Sequence, residues 1–367
     1  MGQTIWWGYQ GNATRHNSVT AQLVSSSGSL IGSRISTGRT GGVPSVAFNG
    51  TNYLMAWSDD AIPQIPPQPK ISVIYGQVIN IAGAAVTAPF VISTTPGDLE
   101  IGGVDSTVCF NTKCTVTWND GNSTGTVYGR DIGPTGAFLS TEYTIFSNTR
   151  PGSGRADADA ACDSSGNCLF VADSGSQIVG RIIGPTINKV QFVIATKAPI
   201  TVPCTDHNPA AGIFDGTNYL VVWNDHSDCA PVPNWDVMAQ RLDANGNLQG
   251  AAFKVNSANT NRAAIPFIAF DGTNSLVTWT DERNDANKNG ICDSGEGMCD
   301  DVYGQYVSKT GSLVGSEFVI NADAGNQIGV VAGFRAGKYL VILNTGFSKF
   351  LPGGLIANDV YGVFVTP

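Results

Sequence analysis

Charge is what this chain has least of. Lysine and arginine number 20 and aspartate and glutamate 29, so charged residues are 13% of 367 positions and the net charge is -9. Nucleic acid binding rests on a basic stripe that such a balance does not supply, so no nucleic-acid partner is expected. Histidine is scarcer still: His16, His207 and His226 are the only three, too few for a multi-histidine metal centre unless all converge. No apolar run reaches the length of a membrane-spanning helix. The opening Met1-Gly-Gln-Thr-Ile-Trp-Trp7 lacks the basic start and long apolar stretch of a secretory signal. It reads as a start residue on a mature chain whose signal has been removed.

Glycine, in contrast, occurs 44 times, and much of it punctuates a repeat. The pattern is clearest in Phe214-Asp-Gly-Thr-Asn-Tyr-Leu-Val-Val-Trp-Asn-Asp225 and in Ile265-Pro-Phe-Ile-Ala-Phe-Asp-Gly-Thr-Asn-Ser-Leu-Val-Thr-Trp279. Seven copies place Trp7, Trp57, Trp118, Ala172, Trp223, Trp279 and Leu343 at one equivalent position, separated by 50, 61, 54, 51, 56 and 64 residues. Each full copy holds four short strands, here A to D: the Pro44–Phe48, Tyr53–Trp57, Ile74–Gln77 and Phe90–Ser93 types. Phe-Asp-Gly-Thr-Asn joins A to B as a tight hairpin, and Asp243-Ala-Asn-Gly-Asn247 joins C to D.

Strand B selects among all-β folds. In Tyr219-Leu-Val-Val-Trp223 both faces are apolar, so the strand is covered on both sides. Small four-stranded antiparallel sheets packed face to face meet that demand, and the expected fold is an all-β β-propeller of one domain. The copies run approximately over 1–40, 41–98, 99–150, 151–200, 201–260, 261–324 and 325–367. The first lacks strand A and the last lacks strand D. Seven blades with two incomplete ends is the favoured count. The alternative is six blades, with the first D strand completing the last sheet. An unfilled edge is a place where another chain can add a strand.

Eight cysteines fall on the repeat grid rather than at random. Cys109 with Cys114, and Cys162 with Cys168, occupy equivalent A and B positions of adjacent copies, flanking the hairpin. Cys204 and Cys229 lie in D to A and B to C connections that emerge on one face, and Cys292 and Cys299 share one connection. Four disulfides are expected, and with them a secreted or surface location.

The sharpest chemical motif is Asp285-Ala-Asn-Lys-Asn-Gly-Ile-Cys-Asp-Ser-Gly-Glu296. Its spacing is that of a loop wrapping Ca²⁺: oxygen side chains from Asp285, Asn287, Asn289 and Asp293, the Ile291 carbonyl, a bidentate Glu296, and Gly290 at the sharp turn. Strands rather than helices flank it, and the expected role of the ion is structural.

Catalytic constellations are thin. His207 and His226 with Asp206, Asp225 and Asp228 lie where an acid-base or metal cluster could form, but ordinary loop polarity is the favoured reading. Asp59, Asp120, Asp225 and Asp281 each stand two residues after the repeat Trp, and recurrence at one grid position marks them as architectural rather than as a glycosidase pair. The Ser-x-Asp-x-Gly-x-Thr-Trp box of sialidases and a phosphate loop are both absent. Sequons stand at Asn12, Asn49 and Asn122; Asn49 reads as a hairpin-turn residue and Asn122 as a B to C loop residue, and no functional glycosylation is expected.

The run Phe-Asp-Gly-Thr-Asn-Tyr-Leu-Val-Val-Trp, then Val-Tyr-Gly-Gln, then Gly-x-Leu-x-Gly-x-x-Phe-x-Ile resembles the repeats of secreted bacterial β-propeller modules of extracellular and surface proteins. The resemblance covers nearly the whole chain and implies the fold. It implies no activity. The fourth copy departs most, with Ala172 for Trp and Val179 for Tyr.

Insertions concentrate between strands B and C: Ser58–Lys70 with its prolines, Asn224–Asn234, the calcium loop and Asn344–Ala357. Loops that depart from a repeat are where recognition sits. Trp235, Phe347 and Phe350 are expected there as exposed rings for stacking on sugars, beside Asp228, Asn234 and Asn344 as hydrogen-bonding groups. The favoured function is a noncatalytic extracellular module binding a glycan or surface polymer, with structural Ca²⁺. The alternatives are a subunit joined to another protein chain through incomplete blade edges, and a secreted polysaccharide hydrolase or lyase.

Overall fold

A computed structural model describes residues 3–9, 18–59, 73–94, 99–100, 107–120, 125–147, 158–174, 176–196, 210–226, 235–257, 263–284, 301–322, 328–344, 350–351, 355–356 and 360–367. Every element among them is a strand, and no helix is long and apolar enough to cross a membrane. The protein is an all-β chain of the β-propeller class, built from four-stranded antiparallel blades. It divides into two compact units, Met1–Ser174 with Ile183–Gln191, and Gly175–Ile182 with Phe192–Pro367.

The strands follow the repeat grid. β1 (Gln3–Tyr9), β2 (Ser18–Ser25) and β3 (Leu30–Thr40) form a first sheet without an A strand. β4 (Gly42–Phe48), β5 (Asn52–Asp59), β6 (Val73–Asn80) and β7 (Phe90–Val91) are the first complete A-B-C-D blade. In the next, β8 (Leu99–Glu100) and β9 (Thr107–Phe110) share the A edge of β10 (Lys113–Asp120), followed by β11 (Val127–Ile132) and β12 (Tyr143–Phe146). Then come β13 (Ala158–Cys162), β14 (Cys168–Asp173), β15 (Gln177–Ile183) and β16 (Asn188–Thr196). The fifth sheet is β17 (Ala211–Phe214), β18 (Asn218–His226), β19 (Trp235–Asp243) and β20 (Leu248–Lys254). The sixth is β21 (Ala263–Phe270), β22 (Asn274–Asp281), β23 (Asp301–Ser308) and β24 (Leu313–Asn321). The last is β25 (Ile328–Arg335), β26 (Lys338–Asn344) and β29 (Val360–Val365), with β27 (Phe350–Leu351) and β28 (Leu355–Ile356) as a small hairpin in its B to C connection. Among the described residues both terminal sheets hold three strands. β3 belongs to the first of them, in register with β2.

β5 shows why strand B is apolar on both faces. All eight of its residues are buried. Tyr53, Met55 and Trp57 pack with Val19, Leu23 and Ile79, while Leu54 and Ala56 pack with Ile92, Val116 and Trp118. Side chains alternate between two cores because the strand's period is two. Trp57, Trp118, Trp223 and Trp279 are among the largest fully buried side chains, each contributing about 3 kcal/mol or more by burial.

Strands C and D interlock through a glycine. A Cβ on Gly304 would lie 2.9 Å from Ile320, 3.1 Å from Leu276 and 3.2 Å from Phe318. Gly76 is covered in the same way by Phe90 and Ile92, Gly129 by Tyr143 and Ile145, and Gly180 by Phe192 and Ile194. The missing side chain of strand C is what lets the aromatic-x-Ile of strand D close over it.

The Gln of Tyr-Gly-Gln pins a bulge. Register slips between Gly304 and Tyr306 and between Ala239 and Arg241, opposite Gly315 and Gly250, whose φ values of 69° and 74° belong to the left-handed region. Buried Gln305 donates from Nε2 to the carbonyls of Tyr306 and Val314, both at 3.0 Å. Gln240 and Gln22 do the same at their bulges. The bulge twists the D edge away from further pairing, which protects an exposed strand from aggregation.

The A to B hairpins are closed by their first polar residue. Asp215 Oδ1 accepts from the amides of Thr217 and Asn218 at 2.9 and 2.7 Å, and Asn49 Oδ1 accepts from Thr51 and Asn52. Asn49 is thus a buried turn residue, as its sequon was read. Two of these hairpins are also stapled. Cys109 pairs with Cys114 and Cys162 with Cys168, directly opposite in register. Each closes a short loop, worth about 2 kcal/mol in the chain-entropy account. The expected Cys204–Cys229 and Cys292–Cys299 bridges lie outside the described residues.

Candidate functional site

Strand B ends on an aspartate in four of the sheets, at Asp59, Asp120, Asp173 and Asp281, and the connection toward strand C leaves from there. In the sixth sheet the sequence Thr280-Asp-Glu-Arg283 folds back on itself. Trp279 Nε1 donates to Asp281 Oδ2 at 2.9 Å. Arg283 forks onto the same carboxylate, Nε to Oδ1 at 2.8 Å and Nη2 to Oδ2 at 2.7 Å. Its remaining arm reaches Glu317 on β24, which also accepts from the Ser257 amide at 2.7 Å. The guanidinium carbon lies 3.8 Å from the Tyr303 ring centre, and Tyr303 stacks on Trp279. Such a bidentate, ring-backed pair is the strong form of an ion pair.

A second blade builds the same cap from another part of the chain. Arg39, at the end of β3, donates from Nη1 to Asp59 Oδ2 at 3.1 Å and lies 3.9 Å from the Tyr75 ring centre. Tyr75 stacks on Trp57. The two arginines reach one grid position from unrelated sequence positions. The Asp at Trp plus two is legible from the repeat. The arginine that neutralises it is not.

The electrostatics follow from this geometry. Burial alone would lower the pKa of Arg283, but its bonds to Asp281 and Glu317 outweigh burial and raise it. Glu317, raised by burial, ends below the usual carboxylate range because Arg283 and the Ser257 amide bond its charged form. Asp301, opposite Asp281 in the ladder, goes the other way. Burial and the Asp281 charge push its carboxyl up, against an Asn284 hydrogen bond that pulls it down. Asp59 and Asp281 are each paired with an arginine.

Trp235 requires correction. It is the first residue of β19, because the β18–β19 ladder runs on to pair His226 with Trp235. The ring is 4% exposed, so it is packed in the blade and offers no open stacking face. Asn344 closes β26 and Phe350 opens the β27–β28 hairpin, but nothing further of their side chains is described. Asp228, Asn234, Phe347, His16, His207, Asp206 and the calcium motif Asp285, Asn287, Asn289, Ile291, Asp293 and Glu296 lie outside the described residues. Among the described residues no group of three or more His, Cys, Asp or Glu is placed to hold a metal.

No family model matches the chain, and no curated protein matches it. Among solved structures, it is similar to a neuraminidase-like protein from A/bat/Guatemala/164/2009, with 10% identity over 88% of each chain and a TM-score of 0.45. It is likewise similar to a subtype N11 neuraminidase-like protein of A/flat-faced bat/Peru/033/2010, with 8% identity over 89% of this chain and 87% of that one and a TM-score of 0.45.

Proposed function

We propose that this protein is a noncatalytic extracellular module that recognises a glycan or another surface polymer through its B to C connections. The observation that supports the reading is the engagement of the recurring carboxylates. Glycoside hydrolysis needs two carboxyls flanking an open site, one ionised and one held protonated. Asp59 and Asp281 instead each face an arginine stacked on a tyrosine. Connections that leave such rigid roots are suited to holding recognition groups in place. With Trp235 in the sheet, that task falls to Asp228, Asn234, Asn344, Phe347 and Phe350 and to the proline-rich connection after Asp59.

Two further parts complete the proposal. The Cys109–Cys114 and Cys162–Cys168 bridges suit a chain exported to an oxidising compartment. Asp285, Asn287, Asn289, Ile291, Asp293 and Glu296 supply the donor set for a structural Ca²⁺ that orders the longest connection.

The test is a panel of soluble and surface polysaccharides, scored both for binding and for release of new reducing ends, in Ca²⁺ and in chelator. Binding without turnover is the expected result, with a lower Tm in chelator because Ca²⁺ stabilises the state it binds. Asp285→Ala should erase the chelator difference. Turnover would overturn the noncatalytic reading. An unchanged Tm with no Ca²⁺ by elemental analysis would overturn the metal.

A further inference from the structure

Two junctions show how neighbouring sheets meet. Leu54 and Ala56 of β5 pack on Val116 and Trp118 of the next sheet, and Leu220 and Val222 of β18 pack on Val277 and Trp279. The residues one and three before the tryptophan of a strand B thus face the tryptophan of the following sheet. Where β10 meets β13, both sides of this contact change. The facing positions are Thr115 and Thr117, both buried, and the tryptophan is replaced by Ala172, with Ala158 directly opposite it in the β13–β14 ladder. Bulk has moved along the strand instead: Phe170, opposite Ala160, stands where the other complete sheets have Met55, Val116, Val221 and Val277. The level of the indole is left with two alanines.

Asn119 borders that level. The residue is 1% exposed, and among the described residues nothing pairs with its Oδ1 or its Nδ2. Its counterpart one residue after Trp223, Asn224, crosses to the next sheet, donating from Nδ2 to the Ala263 carbonyl at 2.9 Å and accepting from the Ile265 amide at 3.0 Å. The same crossing aims Asn119 at the β13 side of its junction. A carboxamide both donates and accepts, and burying it with neither bond made is costly. The threonine, alanine and asparagine side chains at this level are neutral, so an ion would stay uncompensated. What fits is a flat, uncharged group no larger than an indole, with a donor and an acceptor side by side on one edge.

We propose that the junction of the third and fourth sheets, at Asn119 and Ala172, binds a small cyclic amide. Its planar ring takes the place of the missing indole. Its N–H donates to Asn119 Oδ1 while its carbonyl accepts from Nδ2, the bidentate pairing by which asparagine reads the edge of adenine. Asn119, Ala158 and Ala172 all belong to the first compact unit. This proposal is independent of the glycan reading, since a site this deeply buried admits no polymer.

The cyclic amide α-pyridone, whose ring N–H adjoins its carbonyl, is the probe, and its N-methyl derivative, which lacks the donor, is the control. Isothermal titration of the whole chain is expected to show saturable one-to-one binding of α-pyridone, and binding at least about tenfold weaker of the methylated ring. Asn119→Leu should bring the two affinities together. Ala172→Trp, which restores the residue of the other sheets, should abolish binding and raise the Tm. The two probes test the claim on the unaltered chain should either variant fail to fold. Absence of saturable α-pyridone binding, equal binding of both rings, or affinity that survives Ala172→Trp would overturn the proposal. So would crystals soaked with α-pyridone in which Asn119 bonds ordered water alone.

Discussion

The guanidinium carbon of Arg283 lies 3.8 Å from the centre of the Tyr303 ring while the same group forks onto Asp281. Ring and carboxylate together fix a side chain that would otherwise roam, at the point where the sixth sheet releases its longest B to C connection.

Removing that arginine leaves a buried carboxylate without its counterion. Arg283→Met should therefore destabilise the protein by about 3 kcal/mol, read as a fall in the urea midpoint. Arg283→Lys keeps the charge but not the fork and should fall between. Arg39→Met should cost less, since its side chain is 37% exposed and solvent screens the pair. Equal costs at both sites would show that the fork onto Asp281 contributes nothing special.

The bulge glutamine gives a second stability test. Gln305→Leu preserves bulk but removes the donor to the Tyr306 and Val314 carbonyls. The expected loss is about 1–3 kcal/mol, with faster amide exchange along β24 than along β22. A neutral substitution would mean that Gly315 alone holds the bulge.

The pH dependence has a sign that can be worked out. The pKa of Asp301 is raised in the folded protein, first by burial and then by Asp281, so the folded state holds its proton to higher pH than the unfolded chain. Its contribution is present below the unfolded value of about 3.9 and is lost as pH rises through the raised folded value. Asp301→Asn should then flatten the stability curve over that window and be more stable than the parent at pH of about 8. Glu317, lowered by Arg283, has the opposite sign: its contribution is lost as pH falls through its folded value, below the window of Asp301. An unchanged slope in Asp301→Asn would refute the assignment.

How much of this was legible in the sequence differs by feature. Strand positions were, because Tyr-Leu-Val-Val-Trp223 must be covered on both faces and Asp-Gly-Thr-Asn218 can only turn. The two staples were, because Cys109 and Cys114 occupy grid positions that a hairpin brings opposite. Trp235 was misplaced, because the repeat gives no signal of how far a ladder extends into a connection, and two further residue pairs carried β18 and β19 past Asn224. Both arginine caps were missed: Arg283 follows its aspartate by two residues without any repeat signal, and Arg39 arrives from the preceding sheet. No spacing rule links a residue at the end of one repeat to a carboxylate in the next.

The central claim is that recognition resides in the B to C connections and not in the blades that carry them. It is tested most directly by shortening residues 60–72 to a Gly-Ser link and, separately, replacing the C to D turn Ala244-Asn-Gly246 with Gly-Ser-Gly, then measuring the affinity of both variants for a polysaccharide bound by the parent. The first variant is expected to keep its melting curve and lose binding at least about tenfold, while the second binds as the parent does. Parent-like affinity in the first variant with loss in the second would contradict it.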